Sequence, residues 1–452
     1  MRHSKNRHRS RRKTITLTAA GATALAVVAG TAVAVQNSAF GTEKKSSSAS
    51  SERHARTHGD KHTPGHHQGA SRTPQPTASE AKASQPAATV TPRASESAAA
   101  ARPQECGAGA YQVEVVKKGT GWTARHGGTT LYTGTDMFAA MNAGLSGLTP
   151  DRKTKERLVV RGSGTIKASQ RLKLPSYTVL DVCGTINATG AVATDTAPIF
   201  SRGTTDVEVQ HAKITGAPMY GMFFRSVSNL TLGQIDMRLS GGLGIRIDNG
   251  SSTVPATNTR IDSVYVSGAS SHAVETAGLD GVTIGSVTAR NVGEAGLLLN
   301  TTTNAEVGTV DAENAGAGTG YAAFRMANRN GRIGDSYKTN IHVKQVIARG
   351  GGRGIFCVSE SGGAVIDRVD IADTGNNAIL VQNCYNVTIG KEGGTVVGGG
   401  EIRIAAREEF ANTSDLTLQN LTLTDSGISE SPCGENTVIK NVKLVNTTKK
   451  AC

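Results

Sequence analysis

From Thr205 onward, short strings of alternating apolar and polar residues recur at a fixed interval. Val207-Glu208-Val209, Leu230-Thr231-Leu232, Val282-Thr283-Ile284, Ala305-Glu306-Val307, Ile341-His342-Val343, Ala364-Val365-Ile366, Val387-Thr388-Ile389 and Leu416-Thr417-Leu418 share the pattern. The steps from 207 to 230, 282 to 305, 341 to 364 and 364 to 387 are each 23 residues, and Thr259-Arg260-Ile261 stands another 23 before 282. Alternation of period two is that of a β-strand with one buried side. Each unit holds three such runs, broken by Gly, Asn, Asp or Ser. A unit this short cannot bury its own apolar side chains, but stacked units share an interior. The pattern therefore predicts an all-β parallel β-helix. A leucine-rich repeat lacks support, because the units carry no Leu and Asn ladder and no helical segment. A β-sandwich needs no fixed period.

Two steps are longer, with the extra residues at Asn249 to Asn258 and at Asn328 to Asn340. Both follow the third run of their unit, so both are expected on one side of the solenoid, where loops frame a binding surface. An open β-helix end exposes strand edges and needs a cover. Met137 to Leu145 has helical spacing and composition and is expected to cap the N-terminal end. Then come Arg157-Leu158-Val159-Val160, Leu172-Lys173-Leu174-Pro175-Ser176-Tyr177-Thr178-Val179-Leu180 and Gly184-Thr185-Ile186. Over about Thr135 to Cys452 this layout resembles the pectate-lyase-like superfamily. The resemblance implies a right-handed parallel β-helix, here of about 10–12 coils, with a polysaccharide lying in a groove along it.

Aligning the third runs by their leading small residue places Gly221, Gly244, Ala273, Gly296, Ala323, Gly354, Ala378 and Glu401 in register. Two positions on stand Phe223, Arg246, Glu275, Leu298, Arg325, Phe356, Leu380 and Arg403. Ile245 and Ile247 flank Arg246, so this row points outward. His272 precedes its strand, Asp248 takes the next outward place, and Asn300 the corresponding place two coils on. Asn328 and Arg329 open the longest insertion. The candidate catalytic residues are Arg246, His272, Glu275, Arg325 and Asp248. The candidate substrate contacts are Asn300, Asn328, Arg329, Phe223 and Phe356.

This chemistry admits three readings. Acidic sugars are recognised by arginine, which pairs a carboxylate through two parallel bonds. β-Elimination needs a base near the proton α to the uronate carboxylate and a cation on that carboxylate. Arg246, Arg325 or His272 would supply these. Hydrolysis needs two carboxyl groups; Asp248 and Glu275 are expected roughly 8 Å apart, inside the ~6.5–9.5 Å window for inversion. The third reading is a noncatalytic carbohydrate-binding or surface protein, in which Arg246 and Glu275 form a surface ion pair. Two departures from the resembling families matter. The Asp-Asp pair, Gly-His-Gly and Arg-x-Lys of polygalacturonase-like hydrolases are not reproduced. No compact acidic cluster answers to the calcium site that the resemblance implies for a lyase. No cofactor is expected otherwise.

Composition adds location. Residues 1–104 hold 16 Lys/Arg against 5 Asp/Glu, and residues 105–452 hold 33 against 31. The net charge of +13 thus sits outside the repeats, and nucleic acid loses its support as a partner. Met1 to Lys13 carries seven Lys/Arg ahead of an apolar run from Ile15 to Val35. This is the layout of a signal peptide over 1–39, with an uncleaved membrane anchor as the rival. Residues 40–104, rich in Ser, Ala, Pro and His, read as a disordered basic linker suited to contact with an anionic cell wall. All six cysteines lie beyond it: Cys106, Cys183, Cys357, Cys384, Cys433 and Cys452. An even number in an exported chain implies three disulfides, with sequential pairing expected and no metal. The expectation is a secreted monomer of one β-helix domain over 105–452.

Overall fold

The structure, a computed structural model, describes residues 105–452. The expected signal peptide or anchor over 1–39 and the expected linker over 40–104 lie outside the described residues. The described chain is a parallel β-solenoid of about 13 turns. The count exceeds 10–12, and one further coil, Val438–Lys440, Lys443–Val445 and Thr448–Lys450, forms after Cys433, where the apolar alternation has faded.

One interior row shows how the sequence builds the solenoid. Val209, Leu232, Ile261, Ile284, Val307, Val343, Ile366, Ile389 and Leu418 sit on successive coils as direct neighbours. All are essentially inaccessible to water. Each contributes roughly 1.5–3 kcal/mol by burial, against the ordering cost of its strand. At the corners the chain must enter the left-handed backbone region, which Asn, Asp and Gly tolerate best. Asp206, Asn229, Asn258 and Asn304 do so in one corner, and Gly281 (φ +79°) takes the place between the last two. Asn258 Nδ2 donates to Asn229 Oδ1 at 3.0 Å, so the corner amides also bond from coil to coil. The punctuation of the repeat is therefore a backbone requirement.

Ahead of the expected helix, the N-terminal end carries three strands that were not expected. Strands β1 (Val113–Lys118), β2 (Gly121–His126) and β3 (Thr129–Gly134) form an antiparallel meander. β1 then pairs parallel with β4 (Glu156–Arg161), which joins the meander to the solenoid. Period-two alternation in β1 and β2 carries no information on pairing direction, so the pattern alone did not separate meander from coil. Helix α1 (Met137–Ser146) lies where expected, with Asp136 accepting from the Ala139 amide at its start. It buries Met137, Ala140, Met141 and Leu145 against the meander and the first solenoid strands. The disulfides are Cys106–Cys183, Cys357–Cys384 and Cys433–Cys452, the sequential pairing.

Candidate functional site

The third runs stack in the register read from the sequence. Lys173, Phe200, Phe223, Arg246, Glu275, Leu298, Arg325, Phe356, Leu380 and Arg403 are successive neighbours. Nine steps of about 4.8 Å give a row roughly 43 Å long. At its start a cavity of about 540 Å³ is lined by Lys173, Phe200 and Arg202 together with Asn142 and Ser146 of α1.

Midway lies a compact charge cluster. Arg246 Nε donates to Asp248 Oδ2 at 2.7 Å, and its Nη1 donates to Glu275 Oε2 at 2.8 Å. Arg225 grips the same Asp248 through two bonds, 2.6 Å to Oδ1 and 2.9 Å to Oδ2. Asp248 is 3% exposed and Glu275 6%. Burial acts on both carboxyls and favours the neutral form. In Asp248 the hydrogen bonds from Arg225 and Arg246 outweigh it, and the carboxyl is held below its usual range. In Glu275 burial prevails over the single Arg246, and the carboxyl is pushed up. Two neighbouring acids are thus driven apart in acidity, as acid–base sites require. The Tyr220 hydroxyl feels the same charges, and burial raises it, which keeps it protonated.

His272 is 7% exposed. Its Nδ1 accepts from the Ala295 amide at 3.0 Å, which leaves the proton on Nε2, 3.1 Å from Glu294 Oε2. Burial, helped by the charges of Arg325 and Arg246, lowers its pKa from 6.5 to about 3. That outweighs the half-solvated Glu294. Both ring nitrogens are occupied and the ring is neutral at pH 7, so His272 holds its coil in place and is not placed to take a proton.

Beyond Leu298 the face changes character. Arg325 lies over the rings of Tyr321 at 4.4 Å and Phe356 at 5.1 Å, and Arg353 lies over Phe356 at 4.6 Å. Ala295, Leu298, Ala327 and Val358 make a small apolar cluster beneath them. Among the described residues Arg325, Arg353 and Arg403 have no carboxylate partner within ion-pair distance.

The structure places the other candidates as follows. Phe223 is buried, packed against Phe200 at 5.5 Å and under the Arg225 guanidinium at 4.7 Å, so it cannot serve as an open sugar platform. Tyr220, whose ring centre is 4.8 Å from that of Phe223, is the half-exposed ring there. Asn300 accepts from Thr301 Oγ1 at 3.3 Å within its turn. Asn328 and Arg329 have left-handed backbone, and Arg329 pairs with Glu360 at 2.9 Å. Their loop is tied to that corner by Tyr337 packing on Tyr385 and by Asn386 Nδ2 donating to Tyr337 O. Phe356 is partly exposed between two guanidinium groups. Tyr220, Arg225, Tyr321 and Arg353 complete the face and were not among the sequence candidates. Arg225 was findable, since it faces Asp248 one coil away in the same register.

The face does not suit calcium, because Asp248 and Glu275 already accept from arginine. The one His/Cys/Asp/Glu trio within metal-binding reach among the described residues is Cys106, Asp181 and Cys183, and its two sulfurs form a disulfide.

No protein-family model and no curated protein matches the chain. Among solved structures it is similar to the A-module of the mannuronan C-5 epimerase AlgE6 of Azotobacter vinelandii. That likeness has 13% identity and a TM-score of 0.38, and covers 70% of this chain and 95% of the other. It is also similar to the receptor-binding protein of bacteriophage Det7, a podoviral tailspike in a myovirus. There the identity is 11% and the TM-score 0.31, over 70% and 74%. Likenesses this distant leave the chemistry to the residues themselves.

Proposed function

We propose that the chain is an exported carbohydrate-active protein, a polysaccharide lyase acting on a uronate-containing glycan laid along the Phe200–Arg403 face. The observation that carries this reading is the raised Glu275 carboxyl beside the protonated Tyr220, on one face with unpaired arginines. Glu275, its carboxyl pushed up by burial, is suited to remove the proton α to the uronate carboxylate. Arg325 neutralises that carboxylate as the carbanion develops. The C–H electrons become the new C=C bond, the glycosidic C–O bond breaks, and Tyr220 donates its proton to the leaving oxygen. Asp248 and Arg225 hold Arg246, and Arg246 orients Glu275; these are positioning roles.

One observation favours hydrolysis instead, namely the opposite displacement of Glu275 and Asp248. Against it, arginine occupies both oxygens of Asp248, whereas on Glu275 it occupies only Oε2. Incubating the full chain with a panel of acidic and neutral polysaccharides separates the readings. Ultraviolet-absorbing unsaturated ends support elimination, reducing ends without that absorbance support hydrolysis, and retention without cleavage supports a binding protein. Three disulfides suit an oxidising compartment, in keeping with export. On the same footing, α1 is read as the cover of the N-terminal strand edges and residues 105–452 as one cooperative unit.

A further inference from the structure

Resting on the reading of this face as a glycan groove, we propose that Arg325, Arg353 and Arg403 form a second subsite. It adjoins the Arg246–Glu275 cluster: Arg325, at the boundary, meets the carboxylate of the reacting sugar, and Arg353 and Arg403 hold the anionic group of its neighbour.

Three observations carry it. First, these guanidinium groups lack the partners that the other arginines of the face have. Arg225 and Arg246 are each saturated by carboxylate, whereas Arg353 has only the Asn377 amide oxygen at 3.1 Å, and Arg325 and Arg403 have no carboxylate among the described residues. Second, Arg325 Nε is buried without an acceptor. No acceptor within the fold neutralises this half-buried guanidinium, which leaves its outer N–H groups to pair with an anion. Third, Arg353 lies in the field of the other two cations. Burial, together with the charges of Arg325 and Arg403, pushes Arg353 down to about 10. Phe356 holds the Arg325 and Arg353 planes through its ring.

Arg325 and Arg403 stand three coils apart, roughly 14 Å at the strand. Arg353 stands on a coil between them, with its guanidinium over the Phe356 ring. The subsite therefore spans more than one sugar and favours a run of acidic residues over a single one. A carboxylate of a uronate and a sulfate ester on a neutral sugar present the same chemistry to guanidinium.

The test is binding of the full chain to an immobilised polyuronate, a sulfated neutral polysaccharide and an uncharged polysaccharide, at low and high salt. Wild type is expected to hold an acidic polymer and release it as salt rises. Arg353→Ala and Arg403→Ala are each expected to weaken that binding about tenfold to a hundredfold, with any binding to the uncharged polymer unchanged. Arg403 is exposed, so its variant tests the idea without disturbing packing. Retention of the sulfated polymer alone keeps the subsite and assigns its anion to sulfate. Equal affinity of wild type and both variants for the acidic polymer, or equal retention of the uncharged one by wild type, overturns it. Binding of polyuronate without cleavage contradicts the proposed reaction and leaves the subsite standing. Cleavage with unchanged KM in both variants does the reverse.

Discussion

Arg246 and Arg325 occupy the same outward row three coils apart, yet they are in opposite situations. The difference lies in the side chains around them. Two residues after Arg246 stands Asp248, and the next coil offers Glu275. Two residues after Arg325 stands Ala327, and the adjacent coils offer Leu298 and Phe356. Asp248 and Ala327 hold the same place in the stack, linked through Ala277 and Asn300. Two exchanges, Asp248 for Ala327 and Glu275 for Phe356, thus separate a sealed ion cluster from a cation with no carboxylate partner. In a solenoid the backbone repeats, so local chemistry is decided by which residue fills each register position.

Removing each arginine should expose this contrast most strongly. Arg246→Met strips Glu275 of its partner and weakens the hold on Asp248, and breaking a buried pair in this way costs about 3–5 kcal/mol. Arg325→Met loses cation–π contact worth about 0.5–1 kcal/mol and relieves repulsion at Arg353. Denaturant unfolding of the two variants checks the difference, and equal losses would erase the distinction between the regions.

His272 lies between the regions and feels both arginines, which sharpens the contrast through pH. Its folded pKa of about 3 is below the ordinary 6.5, so the unfolded chain binds the proton more readily. Its contribution is fully present above pH 6.5 and is lost as pH falls from there toward about 3. Between pH 7 and pH 5 this amounts to about 2 kcal/mol at most. His272→Gln should flatten that part of the stability profile, and an unchanged slope would show that other groups produce it.

The smallest expected change rebuilds one region in the image of the other. Ala327→Asp gives Arg325 the carboxylate that Arg246 has. Binding to acidic polymers should fall about tenfold, with a weaker dependence on salt. A folded variant that binds as wild type would mean that Arg325 does not face the ligand.

Much of this was legible in the chain. The 23-residue period fixed the register because every interior position of a β-helix repeats, and the Gly221 to Glu401 alignment is reproduced pair by pair. The outward row followed from alternation. Side-chain reach did not. Register places Phe223 outward, but Arg225 folds back over its ring and buries it. His272 looked like a base by residue type, and only the structure shows both nitrogens occupied. Arg353 precedes the aligned glycine by one residue, at a strand start where alternation no longer predicts direction. The meander of β1 to β3 lies before the repeat begins, where no period exists to read.

The central claim, that the Glu275 region performs the reaction and the Arg353 region holds the chain, is tested most directly by steady-state kinetics. The measurement is kcat and KM of wild type, Glu275→Gln and Arg353→Ala on one cleaved acidic polysaccharide. Glu275→Gln is expected to lose about 10²–10⁴ in kcat with little change in KM. Arg353→Ala is expected to raise KM about tenfold or more with kcat nearly intact. The two variants showing the same pattern, or each showing the pattern predicted for the other, would contradict it.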